Sequence, residues 1–346
     1  MRMFVTIGKA AGIAAISAVF AHGPVEAQDV VTIKLETYAG PRHAMNTHGW
    51  PEWIKLAEAA GGGKIKFDMT YPPIDPRALY DRVRNGIADM AWITHGYTTG
   101  RFVLPEIVEL PNVDGNGAVM SRALWRIHAK YFAKLDEYKG VEALTVFTHG
   151  PGMIHTRKPV TSIKDFEGMK VRTGGGVQSE IAKRLGIVAV SAPATKAHEI
   201  LSQGVADGIF FSLETITSFK LADAVKYHYS VPGGIYTASF AVVMNKAKFA
   251  SLTPAQKEAL GKVTGEPMAV HMGKTWDDSD KVSAAELAKT ANVVAPLPAA
   301  VAAEMQKKLA DIEEDWIKRA KEAGLADPAA VLKELRSEIA KIKAGG

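Results

Sequence analysis

The sequence predicts an α/β fold with two lobes, on three observations. Strand-like and helix-like runs alternate from residue 31 onward, the pattern of mainly parallel sheets flanked by helices. The strand-like runs form two clusters, and the chain turns mostly helical beyond Thr253. No flexible linker separates the clusters, so more than one crossing strand is expected to join the lobes.

The first run, VVTIKLETY, leads into a helical stretch from about His43 to Ala60, and KIKFDMTY follows. A helix near Pro76 to Asn85 precedes ADMAWIT, and a longer amphipathic one, about Ala118 to Leu135, precedes EALTVFT. The second cluster is MKVRT, a helix after Gly174-Gly175-Gly176, IVAVSA, a helix from Thr195 to Gln203, and GIFFSLE. SFAVVMNK is the last strand expected, with helices to about Thr290, from Ala299 to Ala323 and from Ala329 to Ile342. Gly61-Gly62-Gly63 and Pro72-Pro73 read as ordinary turns.

With 346 residues, 47% of them apolar, the chain can fill large cores. Arg2 and Lys9 flank a short apolar run, Ala10 to Phe20, and Val25-Glu26-Ala27 offers small residues where a signal peptidase cuts. Residues 1–27 therefore read as a secretory signal peptide, with retention as an anchor the alternative. The absence of cysteine suits a large exported fold that needs no staples, and a bacterial periplasm is the expected compartment. The scattered charges of both signs, net +5, are no nucleic-acid footprint. A monomer is expected, with a dimer the alternative.

Ligands of open parallel sheets sit beyond the carboxyl ends of strands. Those ends carry Tyr38, His95 and Tyr97, His149, Arg172 with its glycines, and Phe211, Ser212 and Glu214. Arg172 presents a permanent cation whose planar fork matches a carboxylate. Gly174 to Gly176 leave room for backbone to approach a ligand, and the helix that follows points free N–H groups the same way. The alternative is that Arg172 pairs with an acidic neighbour on a lobe surface, and the residues alone leave both open. His95 and His149, each in a Thr-His-Gly, can face a cleft or merely end strands. Glu214 can accept from a ligand hydroxyl or simply start a helix. No HExxH spacing, G-x-S-x-G elbow or phosphate loop is present, so neither metal nor cofactor is expected. An exported hydrolase with paired carboxylates stays open as the rival function.

The motif DFEGMKVR (D-x-x-G-x-K-x-R), GVADGI (G-x-x-D-G) and a helical region opening on LTPAQKEAL resemble the solute-binding proteins of tripartite ATP-independent periplasmic (TRAP) transporters, over nearly all of the mature chain. The resemblance implies a type II-like periplasmic binding protein with hinge strands and a long helix crossing both lobes. Lobe I would be 29–148 plus 238–277, and lobe II 149–237 plus 278–346. It also implies that Arg172 grips the carboxylate of an organic acid, that Phe210 to Ser212 touch it, and that membrane permease subunits receive it. Thr173 and three glycines stand where many relatives have proline, and Gly152 where some carry a second basic residue. A monocarboxylate with an aromatic or hydroxylated body is therefore expected, meeting Tyr38, Tyr97, Met153, Gly175, Phe211 and the two histidines, without catalysis.

Overall fold

Alternation turns the first strand inward: in β1 (Val31–Glu36), Ile33 and Leu35 are buried while Thr32 and Lys34 face solvent. In a computed structural model that describes Met1 and residues 30–345, β1 is followed by α1 (Trp50–Ala60), β2 (Ile65–Thr70), α2 (Leu79–Arg84), β3 (Met90–Thr94), α3 (Gly117–Ile127) and β4 (Val141–Thr148). The expected leader, residues 1–27, lies outside the described residues apart from Met1. Then come β5 (Met153–Thr156), β6 (Lys170–Thr173), α4 (Gly176–Arg184), β7 (Val188–Ser191), α5 (Ala197–Ser202), β8 (Gly208–Phe211), α6 (Glu214–Ser218) and β9 (Tyr227–Ser230). The chain finishes with β10 (Ser239–Asn245), α7 (Lys246–Ser251), α8 (Pro254–Val263), α9 (Glu266–Leu287), β11 (Val293–Pro296), α10 (Ala299–Lys308), α11 (Ile312–Glu322) and α12 (Pro328–Lys343).

Two sheets result, ordered β2-β1-β3-β10-β4 and β11-β9-β5-β8-β6-β7. In the first, β1 runs parallel to β2 and β3, while β10 returns antiparallel between β3 and β4. Every residue of β10 is buried, as its unbroken FAVVM requires. In the second, β6 is parallel to β7 and β8, and β5 is antiparallel to β8 and β9. Strands β5, β9 and β11 were not legible as strands. Each is four residues long, and MIHT and YHYS carry no alternation to read.

The 22-residue α9 lies against α3 and β4 at one end and α6 and β11 at the other. Two of its aspartate side chains staple it to helix starts in different lobes. Asp277 accepts from the Gly117 and Ala118 N–H groups of α3, at 2.6 and 3.0 Å, and Asp280 from the Glu214 N–H of α6 at 2.7 Å. Of the C-terminal helices, α10 lies against the Ile163–Phe166 turn of the second lobe, whereas α12 does not follow the expected grouping with lobe II. α12 packs on α3, where Arg126 pairs with Glu338 and Lys130 with Glu334, because its apolar stripe of Val331, Leu332, Leu335 and Ile339 finds the first lobe's core. α11 bridges the lobes, with Arg184 of α4 on Asp311 and Arg319 on Glu106. Among the described residues no helix is long and apolar enough to cross a membrane.

Candidate functional site

Arg172 leaves the carboxyl end of β6, in register with Val190 of β7 and Ile209 of β8. Its Nε and Nη2 donate to the Ala192 carbonyl at 2.8 and 2.6 Å, Nη1 points to the Phe210 carbonyl at 3.4 Å, and Cζ lies 4.4 Å from the Phe211 ring centroid. Backbone carbonyls and a ring fix the fork without neutralising it. The side chain is 1% exposed, yet no carboxylate among the described residues comes within ion-pair distance. Burial pulls its pKa down from the guanidinium value, against which the Tyr97, Tyr236 and Tyr38 hydroxyls act. A buried, uncompensated cation is costly unless an anion arrives.

That cation opens into a cavity between the lobes, lined by residues of both. Tyr38, Tyr97, Phe211, Phe219, Phe240 and Trp276 give its wall an aromatic part. Phe240 and Trp276 lie nearly parallel at 5.8 Å, and Tyr38 meets Tyr97 edge-on at 5.8 Å. The Tyr38 hydroxyl is tied to Thr94 at 2.8 Å, and the Tyr97 hydroxyl accepts from the Ala194 N–H at 2.9 Å, leaving its proton to give. Ser212 is fully buried in the same wall, and among the described residues its hydroxyl has no hydrogen-bond partner.

Arg172, Tyr38, Tyr97, His149, Phe211 and Ser212 are thus brought to one cavity, while His95, Met153, Gly175 and Glu214 are not part of its lining. His149 presents a ring whose nitrogens are already used. Nε2 accepts from the Ala238 N–H at 3.0 Å, so Nδ1 carries the proton and donates to the Gly150 carbonyl, and burial pushes the pKa to about 4. His95 is likewise internal: Nδ1 meets Ser239 Oγ at 2.8 Å and Nε2 the Tyr138 hydroxyl at 2.7 Å. The Ser239 hydroxyl and N–H both donate to Glu109 Oε1, at 2.6 and 2.8 Å. Met153 sits inside the sheet opposite Phe211. Glu214 accepts from Ser218 at 2.6 Å and stands 3.3 Å from His43 Nε2.

The glycines after Arg172 serve the meeting of the lobes. A Cβ on Gly175 would lie 2.2 Å from the Gly96 carbonyl oxygen, and Gly175 has φ +88° and ψ −168°, open to glycine alone. The Gly176 N–H donates to Thr99 Oγ1 of the other lobe at 3.2 Å, and that of Gly174 to the Gln178 side chain at 2.8 Å. The reading of a free helix start aimed at the ligand is corrected accordingly: the other lobe takes up the Gly176 donor. His43, Glu109, Phe219, Phe240 and Trp276 escaped the sequence reading. Phe240 carries no strand-exit signal, because β10 runs antiparallel and meets the cleft with its amino end rather than with the carboxyl end at which ligands of parallel sheets sit. Glu109 has burial as its main influence, with Glu106 beside it, and its pKa rises to about 8. No group of three or more His, Asp or Glu among the described residues gathers as a metal site.

The sequence model of the bacterial extracellular solute-binding proteins, family 7 (DctP), matches residues 37–319. The chain belongs to this family. A TRAP periplasmic solute-binding protein from Bordetella bronchiseptica, solved with (R)- and (S)-mandelate, is 32% identical, covers 90% of this chain and 99% of its own, and superposes with a TM-score of 0.87. One from Rhodoferax ferrireducens T118, with copurified benzoate, is 29% identical over 91% of this chain and 100% of its own, at 0.85. A marine metagenome TRAP protein specific for aromatic acids, with 3-hydroxybenzoate, is 32% identical over 90% and 99%, at 0.84. As a TRAP solute-binding protein the chain falls in a periplasmic, two-lobed α/β family of binding proteins rather than of enzymes.

Proposed function

We propose that this protein captures an aromatic or hydroxylated monocarboxylate and delivers it unchanged to the membrane permease subunits of a TRAP transporter. The observation that carries this reading is a buried arginine without a carboxylate partner among the described residues, opening into a cavity between the lobes that is lined in part by aromatic rings. Arg172 neutralises the ligand's carboxylate, Tyr97 and Ser212 donate to it, and Phe219, Phe240 and Trp276 receive the ring. Solved relatives that hold mandelate, benzoate and 3-hydroxybenzoate support the aromatic class. Export after removal of residues 1–27, and action as a monomer whose lobes close on the ligand, belong to the same reading.

Thermal unfolding against a panel of organic acids, sugars and amines tests it. An aromatic acid at 100 times its dissociation constant should stabilise the protein by about 2.7 kcal/mol. Stabilisation by sugars or amines and by no carboxylate would refute the reading. Mass spectrometry of the incubated acid should return it intact, whereas turnover would favour the hydrolase.

A further inference from the structure

We propose that Gln178 is a specificity-determining contact of the site, whose amide offers N–H groups to the cavity and recognises a second ligand oxygen, a hydroxyl or carbonyl borne on the body of the acid. This rests on the aromatic-acid reading above and adds to it the residue that tells oxygenated acids from bare ones.

Gln178 stands in the first turn of α4, directly after the three glycines, and lines the cavity at 6% exposure. A backbone bond fixes which way its amide faces. The Gly174 N–H donates to Oε1 at 2.8 Å, so the oxygen is taken up and the nitrogen forms the open side. Glycine permits this approach, since a Cβ at position 174 would lie 3.3 Å from both Oε1 and Nε2. Among the described residues Nε2 makes no hydrogen bond. A nearly buried amide nitrogen without an acceptor calls for one, because burial strips it of water and returns nothing. The amide cannot turn to find an acceptor without breaking the bond to Gly174.

The ligand's carboxylate does not need these donors. Arg172 gives one N–H each of Nε, Nη1 and Nη2 to the Ala192 and Phe210 carbonyls, which leaves two of its five for the ligand. With the Tyr97 and Ser212 hydroxyls, the roughly four acceptor positions of a carboxylate are filled. The N–H groups of Gln178 are left for a different oxygen. Position agrees with the count. Arg172 is tied to the chain beyond β7 and to β8, whereas Gln178 is tied to Gly174, whose carbonyl oxygen lies 3.0 Å from where a Cβ on Gly96 of the other lobe would stand. An acid gripped by Arg172 therefore shows Gln178 its body rather than its carboxylate.

Calorimetric titration with two series of acids tests the inference: phenylacetate, mandelate and phenylglyoxylate, and benzoate, 3-hydroxybenzoate and 3-formylbenzoate, each a bare parent with its hydroxyl and carbonyl forms. In at least one series wild type should bind an oxygenated acid about tenfold more tightly than the bare parent. Gln178→Met, which keeps the length of the side chain and removes the amide, should bring the two within about twofold of each other. Gln178→Glu keeps an oxygen for the Gly174 N–H and replaces the amide nitrogen by a second oxygen, so it separates recognition from local structure. It should lose the preference for the carbonyl acid, which can only accept. Wild type without a preference for oxygenated acids in either series, or a preference that persists in Gln178→Met or, for the carbonyl acid, in Gln178→Glu, overturns the proposal while leaving the aromatic-acid reading intact. Wild type that binds none of the six acids overturns that reading and this inference with it.

Discussion

At Arg172 the desolvation of a charge and its use are the same fact. The fold holds the guanidinium with two carbonyl oxygens and a ring face, none of which cancels its charge, and seals it from water at 1% exposure. A ligand carboxylate then meets a partner whose reorganisation has already been done, and removing that partner should cost about 2 to 5 kcal/mol of binding. The residues alone left open whether this cation would meet a ligand acid or pair with an acidic neighbour on a lobe surface, and only the resemblance implied the first. Nor were the roles of the histidines legible. Whether His149 offers a proton to a ligand depends on the Ala238 N–H that its Nε2 accepts, and that contact joins residues 89 apart in sequence. No local pattern reports such a bond.

At the scale of elements, the seam between the exit of β3 and the start of α4 decides whether the lobes can meet. Gly96 and Gly175 touch backbone to backbone, Tyr97 accepts from the Ala194 N–H, and Thr99 from that of Gly176. Gly175→Ala imposes both a Cβ clash with the Gly96 carbonyl and a strained φ, worth about 1 to 3 kcal/mol against the closed form. Affinity should therefore fall about 5- to 150-fold, with small-angle scattering of the ligand-saturated variant showing a wider particle than wild type. Wild-type affinity and dimensions in Gly175→Ala would remove the seam from the closing mechanism. The sequence displayed the three glycines plainly but not their target, because Gly96 lies 79 residues away in the other lobe. It likewise displayed α12 as a helix, without showing from the residues alone which lobe its apolar stripe would choose.

Across the whole molecule, several buried groups keep the neutral form, and their linkage shapes stability. Glu109 and Asp280 rise to about 8 and Glu137 to about 7, in each case mainly through burial. The folded state holds protons that the unfolded chain releases above its ordinary carboxyl range, so this stabilisation is complete at low pH and is lost as pH rises through about 7 to 8. His95 and His155, at about 3, and His128 and His149, at about 4, act in the opposite sense: burial keeps them neutral, and their contribution is lost as pH falls below about 6.5. The melting temperature of the ligand-free protein should therefore peak in mildly acidic solution and decline between pH 7 and 9. A value that stays level or climbs over that interval would contradict these assignments. The two-lobed plan was readable from two strand clusters with no linker between them, whereas the four-residue strands β5, β9 and β11 take their place from neighbours and left no mark of their own. The most direct measurement is calorimetric titration of the best-binding aromatic acid into wild type and Arg172→Met, with circular dichroism to verify folding. The folded variant should lose about 2 to 5 kcal/mol of binding, and equal affinities in the two proteins would contradict a carboxylate-binding role for Arg172.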